Sequence, residues 1–224
     1  MKLLLAAATE AEITPLLQHL QKGWTASPGM VYTRGDNHIH LCITGVGMMS
    51  AAYHLIKKID NPLPQLAIQA GVAGSYHQDI ALGELVTVAS EQYGDLGAED
   101  HYHFLDVFHL GLLGKDEAPF ADGRLPAPAL PWQSHLPARR VSGLTVNTAG
   151  GSEFTIRSRN EKFRCDIESM EGLAFHYVCL REGIPFAQVR AISNYVTPRD
   201  RESWKMKEAI INLNNWLINF IETL

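Results

Sequence analysis

The chain has 224 residues, 46% of them hydrophobic and 19% charged, with 19 Lys and Arg against 24 Asp and Glu. That length and balance suit one α/β domain with a sizeable core, and residues 1–224 read as a single unit without repeat or linker. A net charge of −5 excludes a phosphate-tracking nucleic-acid binder, which would carry clustered Lys and Arg.

The N-terminal apolar run is only about seven residues long before Thr9-Glu-Ala-Glu12 interrupts it, too short and too soon acidic for a secretory leader. It reads as a buried strand, Lys2–Ala8, followed by a helix over Glu10–Gln21. Met30–Arg34 and Ile39–Thr44 form a hairpin around Gly35-Asp-Asn37. Gly45-Val-Gly47 leads into a helix over Met48–Lys58. After Pro62 and Pro64 comes a short buried strand, Leu66–Gln69, which Gly71-Val-Ala-Gly74 ends, and Leu85–Ser90 is the next strand.

From Glu91 to Pro137 no period is sustained, and a loop of that length in a compact domain points to function. Order resumes with a strand at Val141–Val146 and a helix at Glu153–Asn160. A helix over Gly172–Arg181, a strand over Phe186–Ile192 and a terminal helix over Glu202–Leu224 complete the pattern. On the last helix Met206, Ile210, Leu213, Trp216 or Leu217, and Phe220 recur on one face. Strands alternating with helices predict an α/β fold with a mainly parallel sheet covered by helices. No apolar run reaches the ~20 residues of a membrane helix, so a soluble chain with no membrane partner is expected. Cys42, Cys165 and Cys179 sit at unrelated spacings in apolar segments, which fits reduced thiols in a cytoplasmic protein.

Several side chains carry candidate chemistry. Glu12 follows the first strand, where α/β sheets bind ligands, and a carboxylate there can act as a general base toward water. Taken alone, Glu10 and Glu12 are better read as favouring the positive end of the helix they begin. The turns at Gly45 and Gly47, and at Gly71 and Gly74, let backbone amides approach a ligand. They are no dinucleotide fingerprint, because Ser50 stands where a third glycine would be needed. Glu171 lies at the mouth of an apolar helix (Leu173, Ala174, Phe175, Val178), where a partly buried carboxylate must find donors. The two hydroxyls of a ribose would supply them.

Ser193 and Asn194 end a strand and can read the edge of a flat heterocycle. A carboxamide can donate to O6 of a 6-oxopurine and accept a proton carried on N7, whereas adenine would suit a protonated Asp better. His101, His103 and His109 match no helical two-His or zinc spacing and read as a solvated polar loop, so no metal is expected.

Together these segments resemble the nucleoside phosphorylase and nucleosidase superfamily. The resemblance rests on Ala8-Thr-Glu-Ala-Glu12, Thr44-Gly-Val-Gly-Met-Met-Ser-Ala-Ala52, Ala70-Gly-Val-Ala-Gly74, Ser169-Met-Glu-Gly172 and Arg190-Ala-Ile-Ser-Asn194. Within it the chain is similar to the futalosine hydrolase branch through Tyr93-Gly-Asp-Leu-Gly-Ala-Glu-Asp100, Ser193-Asn-Tyr-Val-Thr-Pro-Arg-Asp200, Trp204 and Asn212-Leu-Asn-Asn-Trp216. The resemblance implies a three-layer α/β sandwich with a twisted, mixed, mostly parallel sheet flanked by helices. It also implies cleavage of the bond between a sugar and hypoxanthine without a cofactor, and a homodimer.

By residue, the resemblance implies that Glu12 activates water, Glu171 clamps the ribose and Met170 lies against the sugar. Asn194 would stabilise the departing base, with Gly45, Gly47, Val72 and Ser193 around the ligand. The loop Val146–Phe154 would cover the base, with Phe154 a stacking candidate, and residues 91–113 would shape the far end of the pocket. The chain departs from the related methylthioadenosine nucleosidases at Asn194, where they have Asp, and at Val72, where they have Ser. A phosphorylase would need a phosphate site, and no Arg lies between Gly45 and Gly74, although Arg34 could approach.

Overall fold

A computed structural model describes all 224 residues. The strands are β1 (Lys2–Ala7), β2 (Thr25–Ser27), β3 (Val31–Arg34), β4 (Asn37–Ile43), β5 (Leu66–Ser75) and β6 (Leu85–Tyr93). They continue as β7 (Gly97–Asp100), β8 (His103–Asp106), β9 (Leu125–Pro126), β10 (Arg140–Thr145), β11 (Ile167–Ser169) and β12 (Phe186–Tyr195). The helices are α1 (Glu10–Gly23), α2 (Met48–Lys58), α3 (Glu153–Phe163), α4 (Gly172–Glu182) and α5 (Met206–Glu222).

The main sheet runs β11-β10-β6-β12-β5-β1-β4-β3-β2, with β9 added beside β6. Its centre is parallel: β1 lies between β4 and β5, and β5 pairs with β12 over nearly its whole length. One end does not stay open. β11 pairs antiparallel with β5 at Ile167↔Ser75 and Glu168↔Gly74, closing β5, β12, β6, β10 and β11 into a ring.

β1 shows how alternation builds the layers. Leu3, Leu5 and Ala7 join Leu16 and Leu20 of α1 and Leu213, Leu217 and Phe220 of α5 in one buried cluster. Leu4 and Ala6 face the other way, onto Leu55 of α2 and Phe175, Val178 and Cys179 of α4. Residues two apart share a face, so a run of apolar residues in a strand means both faces are covered. The three-layer α/β arrangement expected from the sequence is the one observed. Ala73, Val86, Val88, Val141, Ile167 and Ile192 fill the closed ring. No helix is long and apolar enough to cross a membrane.

Several boundaries differ from those read in the sequence. β5 does not stop at Gln69. It runs through both glycines to Ser75, because β12 hydrogen-bonds to it all along one edge. Gly71 and Gly74 are therefore not turn residues but places where other side chains need the room of an absent Cβ. β12 likewise passes Ile192, shifting register before Asn194 pairs with Gly74. β6 continues to Tyr93 against β10, and three-residue β11 was too short to leave a period.

The stretch 91–137 is not without regular structure. It holds the β7–β8 hairpin, whose β7 residues are all exposed and so carry no apolar signal. α5 starts at Met206, since Arg201–Ser203 form a separate 3₁₀ turn in which the Asp200 carboxylate accepts from Glu202 N.

Candidate functional site

Glu12 sits at a break in α1. Ile13 leaves helical geometry (φ −123°, ψ 17°), and Pro15 follows within the same helix. The bond that Leu16 N–H would make to Glu12 C=O is replaced by the buried side chain of Asn214 from α5. Asn214 Oδ1 accepts from Leu16 N at 3.0 Å, and its Nδ2 donates to Glu12 O at 2.8 Å and to Ile210 O at 2.7 Å. The kink is thus pinned from a distant helix. Glu12 Oε2 accepts from Thr9 N at 3.0 Å, closing a capping box, while Oε1 accepts from Val72 N at 3.2 Å. The helix-start reading of Glu12 holds for one carboxylate oxygen, and the other reaches β5.

Gly45 (φ +75°) and Gly47 (φ +90°) do make the expected tight turn. It presents Gly47 N, which donates to Glu171 Oε1 at 3.0 Å. Glu171 is only 5% exposed. Glu168 and Ser169 belong to β11 and leave the start of α4 uncapped. The first turn of α4 instead uses Thr145 Oγ1, which accepts from Leu173 N at 2.8 Å.

Arg190 is the residue the sequence reading quoted but gave no role. Its side chain is 2% exposed, yet its guanidinium lies beside both acids. Nη1 is 3.8 Å from Glu171 Oε2, and it donates to Val72 O at 3.5 Å. A Cβ on Gly71 would stand 2.4 Å from Arg190 Nη1 and 2.9 Å from Glu12 Oε1, so the two charges converge on that glycine. The absence of arginine between Gly45 and Gly74 therefore did not leave the site without a guanidinium. The signal available was an Arg in the middle of an otherwise apolar strand, which must be paired if buried.

Behind Glu171 lies a second, fully buried carboxylate. Glu91 accepts from Thr145 Oγ1 at 2.8 Å and Gln188 Nε2 at 2.9 Å. Gly143 and Gly172 clear its path, since a Cβ would meet Glu91 Oε1 at 2.4 and 2.0 Å respectively. Burial lifts its carboxyl from 4.5 to about 7, against the opposing pull of hydrogen bonds from Thr145 and Gln188 and the charge of Arg190.

Asn194 lies one step further along the same strand ends. Its Oδ1 accepts from Ser193 Oγ at 2.8 Å, and its Nδ2 donates to Tyr195 O at 3.0 Å. It lines a small cavity of about 90 Å³ with Gly74, Val146, Gly150, Glu168 and Met170. Glu12 and Glu171 are not in that lining. Glu12 meets β5 at Val72, two residues before Gly74 of the lining, and Glu171 follows Met170 of the lining in the chain.

Phe154 is not in this cavity. At the start of α3 and 58% exposed, it lines a separate space of about 410 Å³ against the β7–β8 hairpin, with His101, His103 and Phe104. The cover of the smaller cavity is Val146–Gly150, held down by Asp95, which accepts from Asn147 Nδ2 at 3.0 Å and Thr148 N at 3.2 Å. His109 is engaged with Asp106 through Nδ1 at 2.7 Å.

Two carboxylates and a guanidinium meet at Gly71 inside β5, with a small cavity further along the strand, an arrangement in an α/β fold that suits a small polar ligand. Residues 2–222 match the family model described as the phosphorylase superfamily, and the chain belongs to that family. It is similar to a futalosine hydrolase of Streptomyces coelicolor, with 28% identity across 96% of this chain and 93% of that one. Its fold matches the native structure of a Helicobacter pylori futalosine hydrolase at a TM-score of 0.79, with 16% identity over 100% of this chain and 98% of that one. It also matches a Neisseria meningitidis 5′-methylthioadenosine/S-adenosylhomocysteine nucleosidase in complex with methylthio-immucillin-A, with a TM-score of 0.80, 17% identity, and coverage of 100% and 99%.

Asn214→Ala should lower stability by about 1–3 kcal/mol, because two buried backbone groups lose their partner. A urea titration giving an unchanged midpoint would count against the bridge. Glu91 makes a separate pH prediction. A carboxyl whose pKa is higher folded than unfolded contributes stability fully below about pH 4.5 and loses it as pH rises through about 7. The amount is roughly 3 kcal/mol. Urea unfolding at pH 5 and pH 8 should show a smaller loss of stability for Glu91→Gln than for the unaltered protein.

Proposed function

We propose that the chain is a nucleosidase that hydrolyses the N-glycosidic bond of futalosine, releasing hypoxanthine and dehypoxanthine futalosine in menaquinone biosynthesis. The observation that carries this reading is the gathering of Glu12, Arg190 and Glu171 at Gly71, three residues along β5 from the Gly74–Asn194 pair. Likeness to a futalosine hydrolase along almost the whole chain adds to it.

Breaking a glycosidic bond builds positive charge on the ribose and negative charge on the base, so the groups that matter are those that answer both. Glu12 Oε1 takes the proton from water as it attacks C1′, and Thr9 keeps the other oxygen from swinging away. Glu171 accepts from the ribose hydroxyls with the lone pairs that Gly47 and Arg190 leave free. Met170 packs against the sugar. Arg190 allows two carboxylates to stand close together while leaving a net negative charge facing the oxocarbenium-like sugar. Asn194 and Ser193 address the base, and Gly45, Gly47 and Val72 contribute backbone around the ligand. No cofactor enters this chemistry.

A phosphorylase would have to hold phosphate with Arg190, and the flanking acids oppose a phosphate there. Hypoxanthine release from futalosine in phosphate-free buffer tests the choice, and complete dependence on added phosphate would overturn hydrolysis. Glu12→Gln should lower kcat by about 10²–10⁴-fold with little change in KM. Asn194→Asp should lower hypoxanthine release and relax rejection of the 6-amino analogue; an unchanged preference would remove Asn194 from base recognition.

The chain is further proposed to act in the cytoplasm as a homodimer. The exposed stripe Val46, Met49, Tyr53 and Ile56 beside the Gly47 turn supports association. Light scattering returning a single-chain mass at micromolar concentration would refute the dimer.

A further inference from the structure

We propose that Glu168 is a specificity-determining residue, accepting a hydrogen bond from the N1–H of a 6-oxopurine held between it and Asn194. The inference rests on the proposed placing of the base at Asn194 and deepens it.

The placement follows from register. On β5, Gly74 is paired on one side with Glu168 of β11 and on the other with Asn194 of β12. Directly paired residues project to the same face of a sheet. Glu168 and Asn194 therefore stand on either side of Gly74, and all three line the 90 Å³ cavity. Gly74 contributes no side chain, and a Cβ there would come within 3.1 Å of Asn194 Nδ2. The result is a slot with a carboxylate on one wall and a carboxamide on the other.

Glu168 is held rigidly in that wall. Tyr76 Oη donates to Oε2 at 2.7 Å, Arg159 Nη1 donates to the same oxygen at 3.2 Å, and Gly150 N donates to Oε1 at 2.8 Å. A carboxylate has about four acceptor sites, so three donors leave one, on Oε1. The residue is 7% exposed, which makes an unmatched ligand atom facing it costly.

The chemistry of the base then decides what fits. A 6-oxopurine presents N1–H as a donor on one edge and N7 on the next, with O6 as an acceptor between them. Adenine presents N1 as an acceptor and a 6-amino donor. A carboxylate welcomes the first pattern at N1 and repels the second, while the Asn194 amide answers O6 and N7 from the opposite wall. Arg159 offsets the charge of Glu168, so the carboxylate selects the base without opposing the negative charge that the base gains as it leaves. This places discrimination at two walls rather than at Asn194 alone.

The test compares kcat/KM for futalosine, its N1-methyl derivative and its 6-amino analogue in the unaltered enzyme, in Glu168→Leu and Glu168→Gln, and in Asn194→Ala. The unaltered enzyme should lose roughly 10- to 100-fold on N1-methylation, as expected when a buried polar group loses its partner. In Glu168→Leu futalosine and the N1-methyl derivative should fall within about threefold of each other, whereas Glu168→Gln, which keeps an acceptor oxygen, should retain part of the difference. A general structural defect would lower both substrates together and keep their ratio, which would overturn the proposal. Equal use of the two substrates by the unaltered enzyme would also overturn it, without any variant having to fold. Should Asn194→Ala leave all three substrates unaffected, the base lies elsewhere, and the reading beneath the proposal fails instead.

Discussion

The site depends on one buried guanidinium. Arg190 occupies the middle of β12 at 2% exposure, and a charge so placed is tolerable only where opposite charge is brought to it. Glu171 is supplied by the turn between β11 and α4, and Glu12 by the first turn of α1. These arrive from distant parts of the sequence because β5 runs beside β1 and also pairs with β11. Gly71 is the condition for the meeting, since any Cβ would take the space of Arg190 Nη1 and crowd Glu12.

Around that charge cluster, glycines define space more than flexibility. Gly74 opens the cavity beside Asn194, while Gly143 and Gly172 admit Glu91 beneath the start of α4. Of the glycines beside these acids, Gly45 and Gly47 are the two with positive φ. The buried layer of Glu91, Thr145 and Gln188 ties β6, β10 and β12 to the first N–H groups of α4, the helix that follows Glu171. A polar network with these donors satisfied rigidifies the wall that carries the carboxylate. Asn214 does the same for Glu12 from the other side of the sheet.

Fold alone does not choose the base. The chain overlays nearly equally well on a futalosine hydrolase and on a methylthioadenosine/adenosylhomocysteine nucleosidase, with TM-scores of 0.79 and 0.80. What distinguishes substrates on one scaffold must lie in a few polar side chains, because an unmatched buried donor or acceptor discriminates far more than shape. Asn194 and Glu168, on either side of Gly74, are the polar groups proposed for that role.

By itself the sequence determined the alternation of strands and helices, the apolar faces, the Gly45–Gly47 turn and the interest of Glu12, Glu171 and Asn194. These are local matters of period, turn chemistry and residue type, and each is carried within a window of a dozen residues. Tertiary structure alone decided that β5 continues through its glycines, that three-residue β11 closes a ring, and that Arg190 and Glu91 are buried beside the acids. It also sent Phe154 to a different cavity from Asn194 and made Asn214 complete a helix more than 190 residues away in sequence. The reason is the same in each case. Strand pairing and the burial of charge are settled by partners distant in the chain, and no local pattern records where such partners will stand.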